Sequence, residues 1–185
     1  MKKWLVILLG LCLQAHAQHK HSNGTDFILE YTPYASVFAL KAFGVESRDD
    51  WAKMTVTTAA SWVVSAGTAY MLKNSINETR PDKSDRKSFP SGHTCIAFSG
   101  ATLLLKEYGK VSPWIPVAGY GIATIVGVDR VLSDRHYWHD VVAGAGLGFA
   151  ATEATWWLSR KVFKSKNDQV MIGFGGNTLD VAVTF

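Results

Sequence analysis

Apolar and polar positions divide the chain into long apolar segments separated by short breaks. The spacing of the apolar positions, with prolines and capping residues at the breaks, is typical of helices. We predict five helices, at Phe27–Phe43, Asp49–Lys73, Thr94–Tyr108, Trp114–Arg130 and His136–Lys161. Pro33 indicates that the first helix begins near that residue, and Ser47 or Asp49 is expected to cap the second. The pattern predicts an all-α fold, a compact bundle of about five to six helices.

The C-terminal segment, residues 169–185, follows a different period. It contains the turn signal Gly175-Gly176-Asn177, after which apolar and polar side chains alternate as in a strand. The apolar positions of this alternation are Leu179, Val181, Val183 and Phe185. We therefore predict a short β-hairpin after the last helix.

The first seventeen residues are organised like a secretory signal peptide. Lys2 and Lys3 precede an apolar run, Trp4–Leu13, and Ala15-His16-Ala17 matches the small-residue pattern of a cleavage site. The apolar run is much shorter than the ~20 residues that a membrane-spanning helix needs. We expect cleavage before Gln18, which leaves residues 18–185 as a single domain with its core at 49–161.

Composition and charge narrow the class of protein. The chain has 185 residues, of which 48% are hydrophobic and 18% charged, and this suits one compact domain. Loss of Lys2 and Lys3 with the signal lowers the formal net charge from +4 to about +2, too little for a nucleic-acid-binding protein. Cys12 also leaves with the signal, so Cys95 has no partner for an intrachain disulfide.

Several features favour membrane association. The longest uncharged run, Thr55–Leu72, has 18 residues and approaches the ~20 of a membrane span. Gly144, Gly146 and Gly148 permit the close helix packing that occurs in membrane bundles, although a tight soluble bundle uses the same residues. The tryptophans that fit an interfacial belt are Trp114, Trp138, Trp156 and Trp157.

Lys73 and Arg80 form the first of three polar clusters that packing does not explain. They are seven residues apart in "KNSINETRP", so on a continuous helix they would project from nearly the same side, with Pro81 ending the helix. Taken alone, the pair is more typical of a solvated basic stripe at a helix C-terminus.

The second cluster is "SFPSGHT", Ser88–Thr94. Ser91 is suited to cap the helix that follows, and Gly92 allows a ligand to approach the backbone closely. The N–H groups near Ser91, Gly92 and His93 would then form an anion site at a helix N-terminus. His93 lies beside this site, where an imidazole can donate a proton near neutral pH.

The third cluster is "DRVLSDRHYWHDVVAG", Asp129–Gly144. His136 and Asp140 are four residues apart, so on one helix the carboxylate can accept a hydrogen bond from one ring nitrogen and direct the other outward. The break at Leu132–Asp134 can fold Arg130 back toward His136. Each residue alone is better explained by a surface salt bridge, but three such clusters in this order are not.

The three clusters together resemble the signature of the type 2 phosphatidic acid phosphatase (PAP2) superfamily, which includes vanadium haloperoxidases and bacterial class A acid phosphatases. That signature is K-x6-RP, then PSGH, then SR-x5-H-x3-D. The matching positions, within roughly Lys73–Gly148, are Lys73, Arg80-Pro81, Pro90–His93, Arg130, His136 and Asp140. Three motifs with correct internal spacing are a far stronger signal than any one of them.

The resemblance implies a phosphate-binding set. Lys73, Arg80 and Arg130 would hold the nonbridging phosphate oxygens, and Ser91 and the Gly92 amide would add hydrogen bonds. Fixed cations and donors stabilise the charge that phosphoryl transfer spreads over these oxygens, so no metal or other cofactor is expected.

The resemblance also implies a catalytic set. His136 would attack phosphorus to give a phosphohistidine, and Asp140 would orient its ring. His93 would protonate the leaving oxygen and then, in the reverse role, activate the water that hydrolyses the phosphoenzyme.

Asp129 departs from the family pattern, and Arg135 with His139 offers a second possible match to it. Asp129 stands where the family usually has serine before the arginine, and it would either draw on Arg130 or pair with another cation. The alternative pairing of Arg135 with His139 fails, because no aspartate follows His139 at the family interval. We therefore expect His139 to be a rim residue rather than the nucleophile.

The resemblance implies a phosphatase of phosphomonoester or pyrophosphate groups on envelope lipids: phosphatidate, phosphatidylglycerol phosphate, isoprenyl pyrophosphate or lipid A. A lipid phosphate substrate and the membrane are the expected partners, with no nucleic acid and no identifiable protein partner. The expected location is the cell envelope, facing the periplasm. Vanadium-dependent haloperoxidase, phosphatase of soluble phosphomonoesters and a non-catalytic envelope protein remain as alternatives.

Overall fold

The structure of the protein is a computed structural model that describes residues 23–166, 170–175 and 178–183. The described residues form five helices and one pair of strands. The helices are α1 (Asn23–Ala42), α2 (Trp51–Ser75), α3 (Gly92–Tyr108), α4 (Trp114–Leu132) and α5 (Trp138–Lys166). The all-α bundle is therefore confirmed, whereas the predicted signal peptide lies outside the described residues.

The strands β1 (Val170–Gly175) and β2 (Thr178–Val183) form the predicted hairpin. They pair antiparallel, with Val170 opposite Val183 and Gly175 opposite Thr178.

The third helix, α3, lies at the centre of the bundle and packs against each of the other four helices. Most of its side chains are buried, and fully buried Leu103 and Tyr108 join Val37 of α1 and Met54 of α2 in the main apolar core. Burial of one such side chain contributes about 2 kcal/mol. Because the second sequence cluster opens this central helix, its residues have a rigid support.

Neither residue predicted to cap α2, Ser47 or Asp49, is its N-cap. Asp50 is the capping residue, because its Oδ1 accepts a hydrogen bond from Lys53 N at 2.8 Å. Asp49 is instead buried and binds the Arg160 guanidinium through both carboxylate oxygens, at 2.8 and 2.6 Å. This ion pair ties the start of α2 to the end of α5.

The predicted start of α1 near Pro33 is also wrong, because the helix begins at Asn23 and contains Pro33. A proline inside a helix removes a hydrogen bond. Close packing against α3 compensates: a Cβ atom on Gly100 would lie 2.9 Å from the Pro33 Cβ atom. The tertiary contact therefore overrides the local preference.

The second helix ends before the first cluster is complete. α2 stops at Ser75, two residues after the predicted end at Lys73, and Ile76 is extended, so the alternative of a continuous helix that carries both Lys73 and Arg80 up to Pro81 is wrong. The chain instead turns back on itself, with a bridge between Glu78 and Lys87. This turn, rather than a helix face, sets the position of Arg80.

The helices expose many large apolar side chains. Trp114, Trp138 and Trp157 are exposed, as an interfacial belt requires, but Trp156 is buried under the Arg160 guanidinium, 4.1 Å from its ring centre, so the belt prediction is wrong for Trp156. By length and composition, α4 alone among the described helices qualifies to cross a membrane, with a mean hydropathy of 1.4 and 33% of its most apolar window buried.

Candidate active site

Lys73 connects the last turn of α2 to the segment that enters α3. Its ammonium group donates hydrogen bonds to the carbonyls of Lys87 at 2.9 Å and Pro90 at 2.8 Å. A Cβ atom on Gly92 would lie 3.7 Å from Lys73 Cε, so the glycine at the start of α3 faces this side chain. Burial, reinforced by the charge of Arg80, lowers the Lys73 pKa to about 8.

Arg80 connects the turn after α2 to the segment before α5. Its Nε donates to Asp85 Oδ1 at 2.8 Å, and its Nη1 makes a longer contact of 3.3 Å with the carbonyl of Arg135. The Arg80 side chain is only 14% exposed. Arg80 therefore reaches the neighbourhood of His136 although the two residues are distant in sequence.

Ser91 is the N-cap of α3, as the sequence predicts. The residue is fully buried, and its Oγ accepts a long hydrogen bond from Thr94 N at 3.4 Å and lies 2.9 Å from Thr94 Oγ1. The Ser91 N–H, expected to face an anion, donates instead to the carbonyl of Asp140 at 3.0 Å, so the prediction for this amide is wrong. The bond places the starts of α3 and α5 side by side.

Arg130 lies in the last turn of α4 and is nearly buried. Its carbonyl accepts hydrogen bonds from the N–H groups of Arg135 and His136, at 3.0 and 3.1 Å. These bonds fold the break after α4 back on itself, as predicted. Asp129 pairs with the Arg130 guanidinium at 2.5 Å, so the acid at the family's serine position does draw on this arginine.

His136 is only 2% exposed, yet it lies before α5 rather than on it. The prediction that one helix carries both His136 and Asp140 is therefore wrong, because His136 N bonds to Arg130 O. The two side chains still face each other, with Nδ1 3.5 Å from Asp140 Oδ2. Burial, together with the positive charges of Lys73 and Arg80, lowers the His136 pKa below its usual value despite Asp140.

Asp140 is fully buried in the first turn of α5. Its Oδ2 accepts hydrogen bonds from Ser88 Oγ at 2.6 Å and from Tyr137 N at 2.9 Å. The second bond is that of a capping box, in which the third helical residue reaches back to the N-cap amide. Two donors thus hold the carboxylate facing His136.

Sequence reasoning missed Ser88. It stands inside the quoted "SFPSGHT", but nothing in its spacing marks it as a partner of Asp140, which follows 52 residues later. It also missed Glu30, whose only signal is that it interrupts an apolar segment.

His93, the second residue of α3, has a half-exposed side chain at a cavity of about 250 Å³. Lys73, Gly92 and Glu30 line the same cavity. Glu30 extends from α1 and brings its Oε2 to 3.6 Å from His93 Nε2. Lys73 therefore borders His93 on one side and acts electrostatically on His136 on the other.

His139 lies at the rim, as expected. Its side chain is 58% exposed, stacks on Tyr137 with ring centres 5.4 Å apart, and bonds Glu78 at 2.7 Å. Glu78, His139 and Asp140 offer ligand atoms within 4.8 Å of one another, which is the spacing of a possible cation site. Contacts of His139 Nε2 with Glu78 Oε1 at 2.7 Å and with Asp140 Oδ1 at 3.2 Å also account for this grouping.

The fold and the site define a class: a helical bundle in which cationic side chains surround a buried histidine and its carboxylate. The chain belongs to the PAP2 superfamily, whose profile matches residues 51–164. It is 36% identical over 140 residues to the lipid A 1-phosphatase of Porphyromonas gingivalis, covering 75% of this chain and 32% of that protein.

One further relative and one solved structure are also similar to this chain. A probable diacylglycerol pyrophosphate phosphatase of Schizosaccharomyces pombe is 37% identical over 75 residues, 35% of this chain and 27% of that protein. The chain thus spans about a third or less of these curated relatives. The crystal structure of Aquifex aeolicus LpxE has the same fold, with a TM-score of 0.58 at 20% identity over 76% of this chain and 88% of that one.

Proposed function

We propose that the protein is a metal-independent phosphatase that hydrolyses phosphomonoester or pyrophosphate groups of membrane lipids through a phosphohistidine at His136. One observation carries the proposal: a buried histidine with a lowered pKa lies between the Asp140 carboxylate and the charges of Lys73 and Arg80. A nucleophilic imidazole must be neutral, and this environment keeps it so at neutral pH.

In the first step the unprotonated Nε2 of His136 attacks phosphorus, while Asp140 stabilises the positive charge that develops on the ring. Lys73, Arg80 and Arg130, with Ser91 and the Gly92 amide, bind the phosphate oxygens. His93 gives its proton to the leaving oxygen. Water then attacks the phosphohistidine and returns a proton to His93.

The lipid character of the substrate rests on two supports. The relatives named as phosphatases of lipid A and of diacylglycerol pyrophosphate act on lipids, and the helices of this chain expose large apolar side chains such as Trp62, Val63 and Met71. Large apolar side chains that remain exposed are typical of a surface that meets a membrane. Together with the signal peptide predicted at residues 1–17, these exposed side chains favour the cell envelope, on the periplasmic side.

A substrate panel tests the function. The purified protein in detergent micelles would receive phosphatidate, diacylglycerol pyrophosphate, isoprenyl pyrophosphate, phosphatidylglycerol phosphate, lipid A and p-nitrophenyl phosphate, with phosphate release as the readout. We expect lipid substrates to be preferred, activity to persist in a chelator, and vanadate to inhibit. Release from soluble esters alone would overturn the lipid assignment, and halide oxidation with vanadate and peroxide would favour a haloperoxidase.

The lowered Lys73 pKa gives a pH prediction. The ammonium is half charged at about pH 8 and loses its charge as the pH rises, so affinity for inorganic phosphate should fall roughly fivefold between pH 8 and pH 9. Phosphate itself stays a dianion over that range. Lys73→Arg keeps its charge and should flatten the decline, measured as phosphate inhibition constants. The same decline in both proteins would assign the titration to another group.

A further inference from the structure

Glu30 is a buried acid beside the general acid of the proposed mechanism. It is 8% exposed, and ionisable side chains are rarely buried without a partner. Its Oε2 atom lies 3.6 Å from His93 Nε2, which is ion-pair distance. Glu30 comes from α1, which contains none of the three family motifs.

The cavity at His93 places further charges around the imidazole. The other titratable side chains in its lining are Lys73 and Tyr70, both from α2, and the rest of the lining includes apolar Ala66 and Ile96. The positive charge of Lys73 disfavours a second positive charge nearby, such as that of a protonated His93. A carboxylate within about 4 Å favours it, so Glu30 opposes Lys73 at His93.

We propose that Glu30 is a positioning residue that holds His93 protonated and oriented for proton transfer to the leaving oxygen; this rests on the proposed phosphatase function. As the bond from His136 to phosphorus forms, the bond from phosphorus to the leaving oxygen breaks. His93 gives one proton to that oxygen and becomes neutral, while Glu30 stays ionised. A protonated imidazole has two N–H donors, so it can contact Glu30 with one and the substrate with the other.

This role depends on the leaving group. Phosphatidate releases a glycerol oxygen that would depart as a strongly basic alkoxide, so it needs the proton. Diacylglycerol pyrophosphate releases a phosphate oxygen, which is a weak base and departs without it. Glu30 should therefore be required for lipid phosphomonoesters and nearly dispensable for lipid pyrophosphates.

The test compares these two substrates with the same acyl chains in the same micelles. Glu30→Gln should lower kcat/KM for phosphatidate by about 10- to 100-fold and for the pyrophosphate by less than about threefold. The ratio of the two kcat/KM values should also decline at lower pH than in the wild type. Titration of Lys73 acts on phosphate binding for both substrates and cancels in that ratio. Glu30→Asp, which keeps the charge, should recover much of the loss.

Controls separate a catalytic effect from a structural one. Glu46→Gln, an exposed substitution of the same kind, should leave both activities unchanged, and inorganic phosphate should inhibit Glu30→Gln as it inhibits the wild type. Equal losses on both substrates, or no loss on either, would overturn the inference and leave the phosphatase proposal intact. If Glu30→Gln does not fold, the smaller loss that remains in Glu30→Asp must still fall on phosphatidate rather than on the pyrophosphate. No phosphate release by the wild type from any substrate would instead refute the phosphatase function itself.

Discussion

His136→Ala is expected to abolish phosphate release from every substrate, with kcat reduced by about four orders of magnitude or more. Alanine removes the ring nitrogen that attacks phosphorus, and the chain offers no second buried imidazole beside Asp140 among the residues that the structure describes. The measurement is phosphate release under single-turnover and steady-state conditions.

Trapping the phosphohistidine intermediate tests whether His136 itself is the residue that attacks phosphorus. Wild-type protein quenched with labelled substrate should carry an acid-labile phosphate, as expected of a phosphohistidine, and His136→Ala should carry none. Leu132→Ala, at an exposed position in the same polar cluster, serves as the control and should keep activity within about threefold of the wild type. Persistent turnover by His136→Ala would assign the attack to another residue and refute the proposed mechanism.

The second large effect concerns stability. Gly148→Ala should destabilise the protein by about 3 kcal/mol, because the new Cβ atom would lie 2.1 Å from the carbonyl oxygen of Cys95. The obstruction is backbone of the central helix α3, which cannot move aside as a flexible side chain can. The measurement is thermal or denaturant unfolding in detergent micelles.

Gly146→Ala is the control for this substitution. Nothing lies within 4 Å of a Cβ atom at Gly146, and alanine in an exposed helix is favoured over glycine by about 0.5–1 kcal/mol. The two substitutions, two residues apart on α5, should therefore change stability in opposite directions. Similar effects at both positions would show that α5 does not approach α3 as closely as described.

The three glycines of α5 show what a sequence pattern can predict and what it cannot. Gly144, Gly146 and Gly148 together predict close helix packing, and the structure confirms it for two of them. A Cβ atom added at Gly144 would collide with Ser91 O and one added at Gly148 with Cys95 O, whereas one added at Gly146 would meet nothing within 4 Å. The pattern cannot rank the three residues, because the rotation of α5 against α3 is set by contacts along both helices.

The candidate site likewise has features that the sequence predicts and features that only the folded structure shows. The motifs name Lys73, Arg80, His136 and Asp140 because their residue types and spacing match phosphate chemistry. The predicted end of the helix at Lys73 is close to the observed end at Ser75, but the seven-residue spacing of Lys73 and Arg80 does not show where the chain takes Arg80 after the helix. Backbone bonds across the turn from Glu78 to Ser88 decide the path of the chain there.

The order of the helices and the side chains suited to phosphate chemistry follow from the sequence alone, because periodicity, capping and motif spacing are local properties. The partners of those side chains do not follow from it. Ser88 bonds Asp140 and Glu30 faces His93 because α1, α3 and α5 pack together, which joins residues far apart in the chain. The burial that lowers the His136 pKa likewise exists only in the folded bundle, where water is excluded from the imidazole.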